Sequence, residues 1–398
     1  MAKAALIFLS ALLALVSAGC ANAPPSVALS PARGDLVPLL ASDTMRVVER
    51  DGYRIVDLQG AVISWGGGAQ GPKQFARLVL VPRGVAEPAL TDDLANATLI
   101  RTPVKRIAVN MGPHEAMLTA LGAQDRLVAV GGTFSWDDAL RSRVKTGSLP
   151  QIGYGWHSPP AMDVLLAAHP DVFIMAMGDI DHVKSLDRIR ALGISVVPTF
   201  IDAETDYMGR VDYLRLMGML TGREREADEI ISEITTNVTR LIAVAAKQPK
   251  RSMMWAWFAG DDKWGATVRN AEAKLMRDAG AINVLERPDD AANDSMVLLS
   301  TEQLLMRGTD AQCWILRDDQ SARFAQPGTL ERFRAWRDEC AFSITGSMKP
   351  NANAYDFYER ATFRPDWLLA DLVAMLHPQT GIRAGRYIEP DRKRLVGS

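Results

Sequence analysis

The feature that most limits how this chain can fold is a long helical stretch without strands, set between two series of alternating strand and helix. From Asp206 to Lys247, apolar residues recur at three and four positions: Val211, Leu214, Met217, then Ile230, Ile234, Val238, Leu241. That is the period of an amphipathic helix. The Gly and charges of "LTGREREAD" divide the stretch into two helices, the second long and ending before Pro249. Ahead of it run "RIAVN", "EAMLTALG", "RLVAVGG", "AMDVLLAAHP", "DVFIMAMG", "LDRIRALG" and "ISVVPTF". Behind it run "RSMMWAWFAG", "NAEAKLMRDAGA", "STEQLLMRG", "AQCWILR", "TLERFRAWRDE", "AFSITG" and "RPDWLLADLVAMLHP". Strand and helix alternating at this spacing predict parallel sheets with helices on their faces. Val172 to Met177 shows no polar alternation, as a strand covered on both faces requires. The body is therefore expected to be α/β, with two lobes joined by a helix.

A length of 398 residues suits about two to three domains. The expected first lobe spans 41–205, the connecting helices 206–248 and the second lobe 249–398. Gly-punctuated strand runs at 44–83, "TMRVVERDGYRIVDLQGAVISW" and "FARLVLVPRG" among them, predict antiparallel hairpins added to the first lobe. At the N-terminus, Lys3 precedes "AALIFLSALLALVSAG", a secretory signal pattern too short for a stable membrane span. "VSAGC" resembles the bacterial lipobox, although Ser17 stands where Leu is usual. Residues 1–20 are thus expected to be a lipoprotein signal peptide with Cys20 lipidated, and plain cleavage nearby is the alternative. Residues 21–40, rich in Pro, Ala and Ser, read as a flexible tether. The soluble body is placed in the periplasm or at the cell surface, held to the membrane through the lipid alone.

Outside the cytoplasm, cysteines oxidise. Cys313 and Cys340 each open a strand-like segment, and they can bridge if those strands are neighbours. Two buried thiols acting as small hydrophobes is the other reading. Hydrophobic residues make up 48% and charged residues 23%, ordinary for a soluble globular protein. A formal net charge of −2 gives no reason to expect a nucleic-acid partner. The signatures of several enzyme classes are missing. No GxGxxG follows a predicted strand, "WGGGAQG" lacks the Lys-Ser/Thr of a P-loop, and no GxSxG elbow occurs. His114 and Glu115 are neighbours at a helix start, so their side chains diverge and are ill placed to act on one proton. No catalytic residue and no resident cofactor are expected.

The order and spacing of "VKRIAVNMGPHEAMLTALGAQDRLVAVGG", "LPQIGYGWHSPPAMDVLLAAHPDVFIM", "LGISVVPTF", "LMGMLTGREREADEII", "LMRDAGAINV" and "YDFYERATFRPDWLLADLVAMLHP" resemble the substrate-binding proteins of ABC importers for ferric siderophores, haem and cobalamin. The resemblance covers about residues 100 to 390. It implies two Rossmann-like lobes bridged by one long helix, with a metal chelate held between them. It further implies a monomer that passes its ligand to an ABC permease with its ATPase subunits. A glutamate near the start of the helix after the first strand pairs with a permease arginine in such proteins. By this resemblance Glu115 lies on the upper surface of the first lobe as a docking residue, with Glu272 in "RNAEAKL" as its counterpart. A continuous connecting helix predicts small lobe motion on binding.

Open parallel sheets bind ligands outside the carboxyl ends of their strands. In the first lobe those ends bring His114, Trp136, Tyr154, Trp156, His157 and Met177, and in the second Lys263, Trp264, Asn353 and Tyr355. Trp, Tyr and Met make a large polarizable wall suited to a flat chelate. Trp255 and Trp257 share one strand face, which belongs to the core. Arg323, Arg360, Arg364 and Lys263 suit an anionic chelate, Arg364 equally a helix start before Pro365. Haem would take an axial ligand from His157 or Tyr154. The rival reading is capture of bare Zn or Mn by His114, His157 and His182. Of the other histidines, His169 precedes a strand and His377 closes the last helix.

Overall fold

The computed structural model describes residues 30–63, 69–155, 159–288, 296–317, 328–383 and 385–390. Five strands come first: β1 Asp35–Val37, β2 Met45–Arg50, β3 Tyr53–Ile63, β4 Ala69–Pro82 and β5 Thr98–Thr102. They form one sheet in sequence order, antiparallel except for the parallel β4–β5 pair. Successive side chains alternate between its faces. Val47, Val56, Leu58 and Leu78 therefore pack into the main core, while Val48, Ile55 and Val79 fill a small cluster on the other side. The hairpins expected at 44–83 are thus the centre of a separate sheet. Its first strand also begins inside the segment expected to be tether to residue 40.

The first lobe follows: β6 Ile107–Val109, α1 Gly112–Ala120, β7 Leu127–Ala129, α2 Asp138–Lys145, α3 Met162–Ala167, β8 Val172–Ala176, α4 Ile180–Ala191 and β9 Ser195–Thr199. Its strands run parallel in the order β7–β6–β8–β9, and every residue of β8 is buried, as a strand sandwiched between helices must be.

Two helices connect the lobes, α5 Tyr207–Thr221 and α6 Glu224–Ala245. Gly222 ends α5 in the left-handed region at φ 63, a conformation that costs glycine nothing. α6 buries Ala227, Ile231, Ile234, Val238, Leu241 and Ala245, one stripe at three- and four-residue spacing. α5 is buried on nearly every side. Its Asp212 carboxylate accepts the amides of Leu40 at 2.9 Å, Ala41 at 3.0 Å and Ser42 at 3.1 Å. Those three N–H groups have no ladder partner, and a buried carboxylate with several such donors satisfies both sides.

The second lobe contains β10 Arg251–Gly260, β11 Lys263–Thr267, α7 Ala271–Asp278, β12 Ala281–Asn283, β13 Met296–Ser300, α8 Thr301–Gly308, β14 Cys313–Ile315, α9 Arg334–Arg337, β15 Ala341–Ser343, β16 Met348–Lys349, β17 Ala354–Tyr355, α10 Pro365–Leu376 and β18 Glu389–Pro390. Its sheet is mixed. β10 is parallel to β12 and β14, and β14 to β15, but β11, β13 and β18 join antiparallel. A disulfide links Cys313 to Cys340 across 27 residues, at the start of the adjacent strands β14 and β15. Among the described residues, no helix is long and apolar enough to cross a membrane.

Candidate functional site

The lobes meet where the loops at the carboxyl ends of the first sheet face the segment between β15 and α10. Trp136, in the loop after β7, crosses this junction. Its amide donates to Glu359 Oε1 at 2.6 Å, and its indole Nε1–H donates to the Ser347 carbonyl at 2.7 Å. The second lobe answers with Lys349, whose Nζ donates to the Trp136 carbonyl at 2.9 Å and lies 4.0 Å from the ring centroid. The Arg360 guanidinium lies 4.3 Å from the same ring. Cations over an indole face are attracted by its quadrupole, so the ring is held by charge as well as by hydrogen bonds.

Beneath Trp136 the junction is acidic and buried. Glu359 is buried against the N-terminus of α1, where a Cβ on Gly112 would lie 2.8 Å from its Cγ. Only glycine permits that approach, and the helix dipole favours a carboxylate there. Glu115 has no solvent exposure. Burial pushes its pKa up to about 7; the Ser135 hydroxyl and the Gly131 amide pull the other way without closing a hydrogen bond of good geometry. Burial, and then the charge of Glu115, hold Glu359 well above the usual carboxylate range. The Tyr154 ring covers Gly131, where a Cβ would lie 2.6 Å from it. It stacks on Phe134 at 5.5 Å and accepts the Phe134 amide at 3.0 Å through its hydroxyl. Burial and the neighbouring carboxyls raise the Tyr154 pKa, so the phenol keeps its proton. Tyr154 forms a wall of the junction.

The other expected site residues are divided between the interior and the surface. His114 is fully buried beside Thr199, with Nε2 3.1 Å from its hydroxyl. Burial lowers its pKa to about 3, so it is a neutral core histidine. Glu115, expected on the surface, is inside, because the Glu359 segment and the Tyr154 loop cover the first turn of α1. Glu272 is also committed within the protein: Arg210 Nη1 donates to Oε1 at 2.7 Å. Burial opposes its ionisation, but the charge and hydrogen bonds of Arg210 win and hold its pKa below the ordinary value. Trp264 does not face the cleft, because β10 and β11 form an antiparallel hairpin that turns it inward. There its indole donates to Thr301 Oγ1 at 3.0 Å and its ring lies 5.6 Å from Trp314. Met177 is buried, while Lys263 is exposed at the turn of that hairpin. Asn353 is exposed at φ 48 in the turn between β16 and β17, and Tyr355 packs edge-on to Tyr358 at 5.5 Å. Arg364 forks onto Asp366 and also binds Glu233. Cys20, Trp156, His157 and Arg323 lie outside the described residues.

The three-histidine metal reading loses His114 and His182, both fully buried. Among the described residues, no group of three or more His, Cys, Asp or Glu is placed to hold a metal ion. His377, which closes α10, is buried, and its ring nitrogen Nε2 donates to the Ala279 carbonyl at 3.0 Å. Glu359 and Trp367 were missed by sequence reasoning. The one signal for them was the aromatic and basic crowding of "YDFYERATFRPDW". Next to Trp136 a cavity of ≈ 580 Å³ opens, walled by Trp367 and several arginines.

A family model for periplasmic binding proteins matches residues 108–332. In sequence, the chain is 21% identical over 297 residues to an uncharacterized lipoprotein of Methanocaldococcus jannaschii, covering 71% of this chain and 68% of that protein. A periplasmic heme binding protein from Pseudomonas aeruginosa superposes with a TM-score of 0.55 at 21% identity, over 72% of this chain and 98% of its own. An ABC-type Fe3+-hydroxamate transport system protein from Saccharomonospora viridis gives 0.53 at 19%, over 69% and 94%. The periplasmic vitamin B12 binding protein of Vibrio cholerae gives 0.52 at 14%, over 71% and 99%. These likenesses establish a shared fold of two α/β lobes. The five-stranded sheet precedes the residues that the family model matches.

Proposed function

Because the chain belongs to the periplasmic binding protein family, we propose that it captures a metal chelate outside the cytoplasm and hands it to an ABC permease. The chelate is an iron-siderophore, haem or cobalamin, the ligand classes named for its structural neighbours. The observation that carries this reading is Trp136, a residue of one lobe whose indole and backbone are both held by polar groups of the other. A flat ligand entering between the lobes replaces those contacts with its own, and Tyr154, Lys349 and Arg360 stand ready beside it. Lys263, Asn353 and Tyr355 complete the proposed set from the second lobe, with Trp156 and His157 following Tyr154 in the sequence. The protein binds and releases, and no chemical step is assigned to it. Cys20 is proposed as the lipid anchor, in keeping with the lipoprotein relative.

Quenching of tryptophan fluorescence tests the proposal against haem, ferric siderophores, cobalamin and Zn²⁺. At least one chelate is expected to bind, and Trp136→Ala should weaken it about 10-fold or more, as removing a central aromatic anchor does. Tight binding of Zn²⁺ with no response to any chelate would falsify it.

A further inference from the structure

The cavity beside Trp136 has a composition that folding alone does not explain. Its ≈ 580 Å³ is within the size range of small-molecule sites. Trp136 and Trp367 form its aromatic walls, and Arg360, Arg383 and Arg386 surround them. The Arg386 guanidinium lies 3.4 Å from the centroid of Trp367, and Arg360 lies between the two indoles at 4.3 and 5.5 Å.

These arginines differ in how their charge is met. Arg360 forks onto the buried Asp356 with two bonds of 2.6 Å. Neither Arg383 nor Arg386 has a carboxylate partner among the described residues. The one carboxylate in the wall, Asp371, already accepts the amides of Gly385, Arg386, Tyr387 and Ile388 at 2.6 to 3.4 Å. Like charges gathered at one concavity repel unless an anion joins them. A guanidinium offers a planar fork of donors that matches a carboxylate or another chelating oxyanion pair.

We infer that this cavity takes the anionic part of the ligand, so that the protein selects metal chelates bearing carboxylate or catecholate oxygens over neutral ones. The inference rests on the chelate-binding reading above and narrows it by charge. Trp136 joins the two, since it belongs to the cavity and to the lobe junction.

The test is equilibrium fluorescence titration of the full chain and of the Arg383→Gln, Arg386→Gln double variant. The probes are haem with its two propionates, an anionic ferric tris-catecholate, a neutral ferric tris-hydroxamate and cobalamin. Both arginines are exposed, so the variant should keep its thermal midpoint. The expected result is preferential binding of the anionic probes, weakened at least 10-fold in the variant, with a shallower dependence on salt. Equal affinity for neutral and anionic chelates overturns the inference and leaves the chelate reading standing. So does an unchanged affinity of the variant for the anionic probes. Failure of every chelate to bind the wild-type chain overturns both together.

Discussion

Glu115 and Glu272 occupy similar places, each in the first turn of a helix at the start of a lobe, yet their surroundings are opposite. Glu115 has no exposure and no cation beside it among the described residues; its ionisable neighbours are other carboxyls, Asp137 and Glu359. Glu272 is 22% exposed and is met by Arg210 from α5. One glutamate is therefore pushed towards its neutral form and the other is held charged. A glutamate at a helix N-terminus is not by that fact a surface group. What packs over the turn decides, and here the two lobes decide differently. The first lobe buries its glutamate without a cation, whereas the second ties its own to the connector by an ion pair.

The largest expected effect lies in the second lobe. Replacing Cys313 and Cys340 by Ser opens the 27-residue loop and should lower unfolding free energy by ~3–4 kcal/mol on the chain-entropy model. Denaturant titration reads it, and a loss that appears equally in first-lobe probes would mean that the lobes do not differ in this respect. Next is Glu115. Its folded pKa of about 7 exceeds the ordinary 4.5, so its contribution is fully present below the unfolded value and is lost as pH rises through 7. That slope amounts to ~3 kcal/mol. Glu115→Gln should remove it, leaving the variant more stable than wild type above pH 7. A variant whose stability tracks wild type from pH 4.5 to 8 would show that Glu115 is solvated.

Glu272 has the opposite sign. Its folded pKa is lowered, so its stabilisation is present above the ordinary carboxylate range and fades as pH falls through the folded value. Arg210→Gln should cost about 1–2 kcal/mol at neutral pH, less than a fully buried pair because both side chains keep some exposure. It should also raise the acid midpoint of unfolding. No shift in that midpoint would remove the contrast with Glu115. The smallest effect concerns shape. Two helices packed along their length connect the lobes, so small-angle scattering should give superimposable profiles with and without chelate. A marked compaction would show that the break at Gly222 hinges.

Much of this was legible from the residues. β8 reads as an unbroken apolar run because both its faces are covered, and the stripe on α6 repeats at the helical period. The five-stranded sheet was half legible. The hairpins carry alternating residues and turn signals, but β1 and β5 are three and five residues long and take their place only by pairing. The site was harder. Trp264 follows the charged turn "DDK" and opens a new apolar stretch, which suits cleft and core equally until β11 is seen to fold back on β10. His114 and Glu115 follow a strand in the manner of ligand residues. The groups that cover them, Tyr154 and Glu359, are distant in sequence, and no local pattern reports them.

Asp212 ties the chain just after β1 to α5, not to the periphery of either lobe. Because β1 is itself paired to β2, residues 35–42 act as a strap from the five-stranded sheet to the connector. A displacement of that sheet is therefore passed to α5 directly, without going through the facing loops of the two lobes.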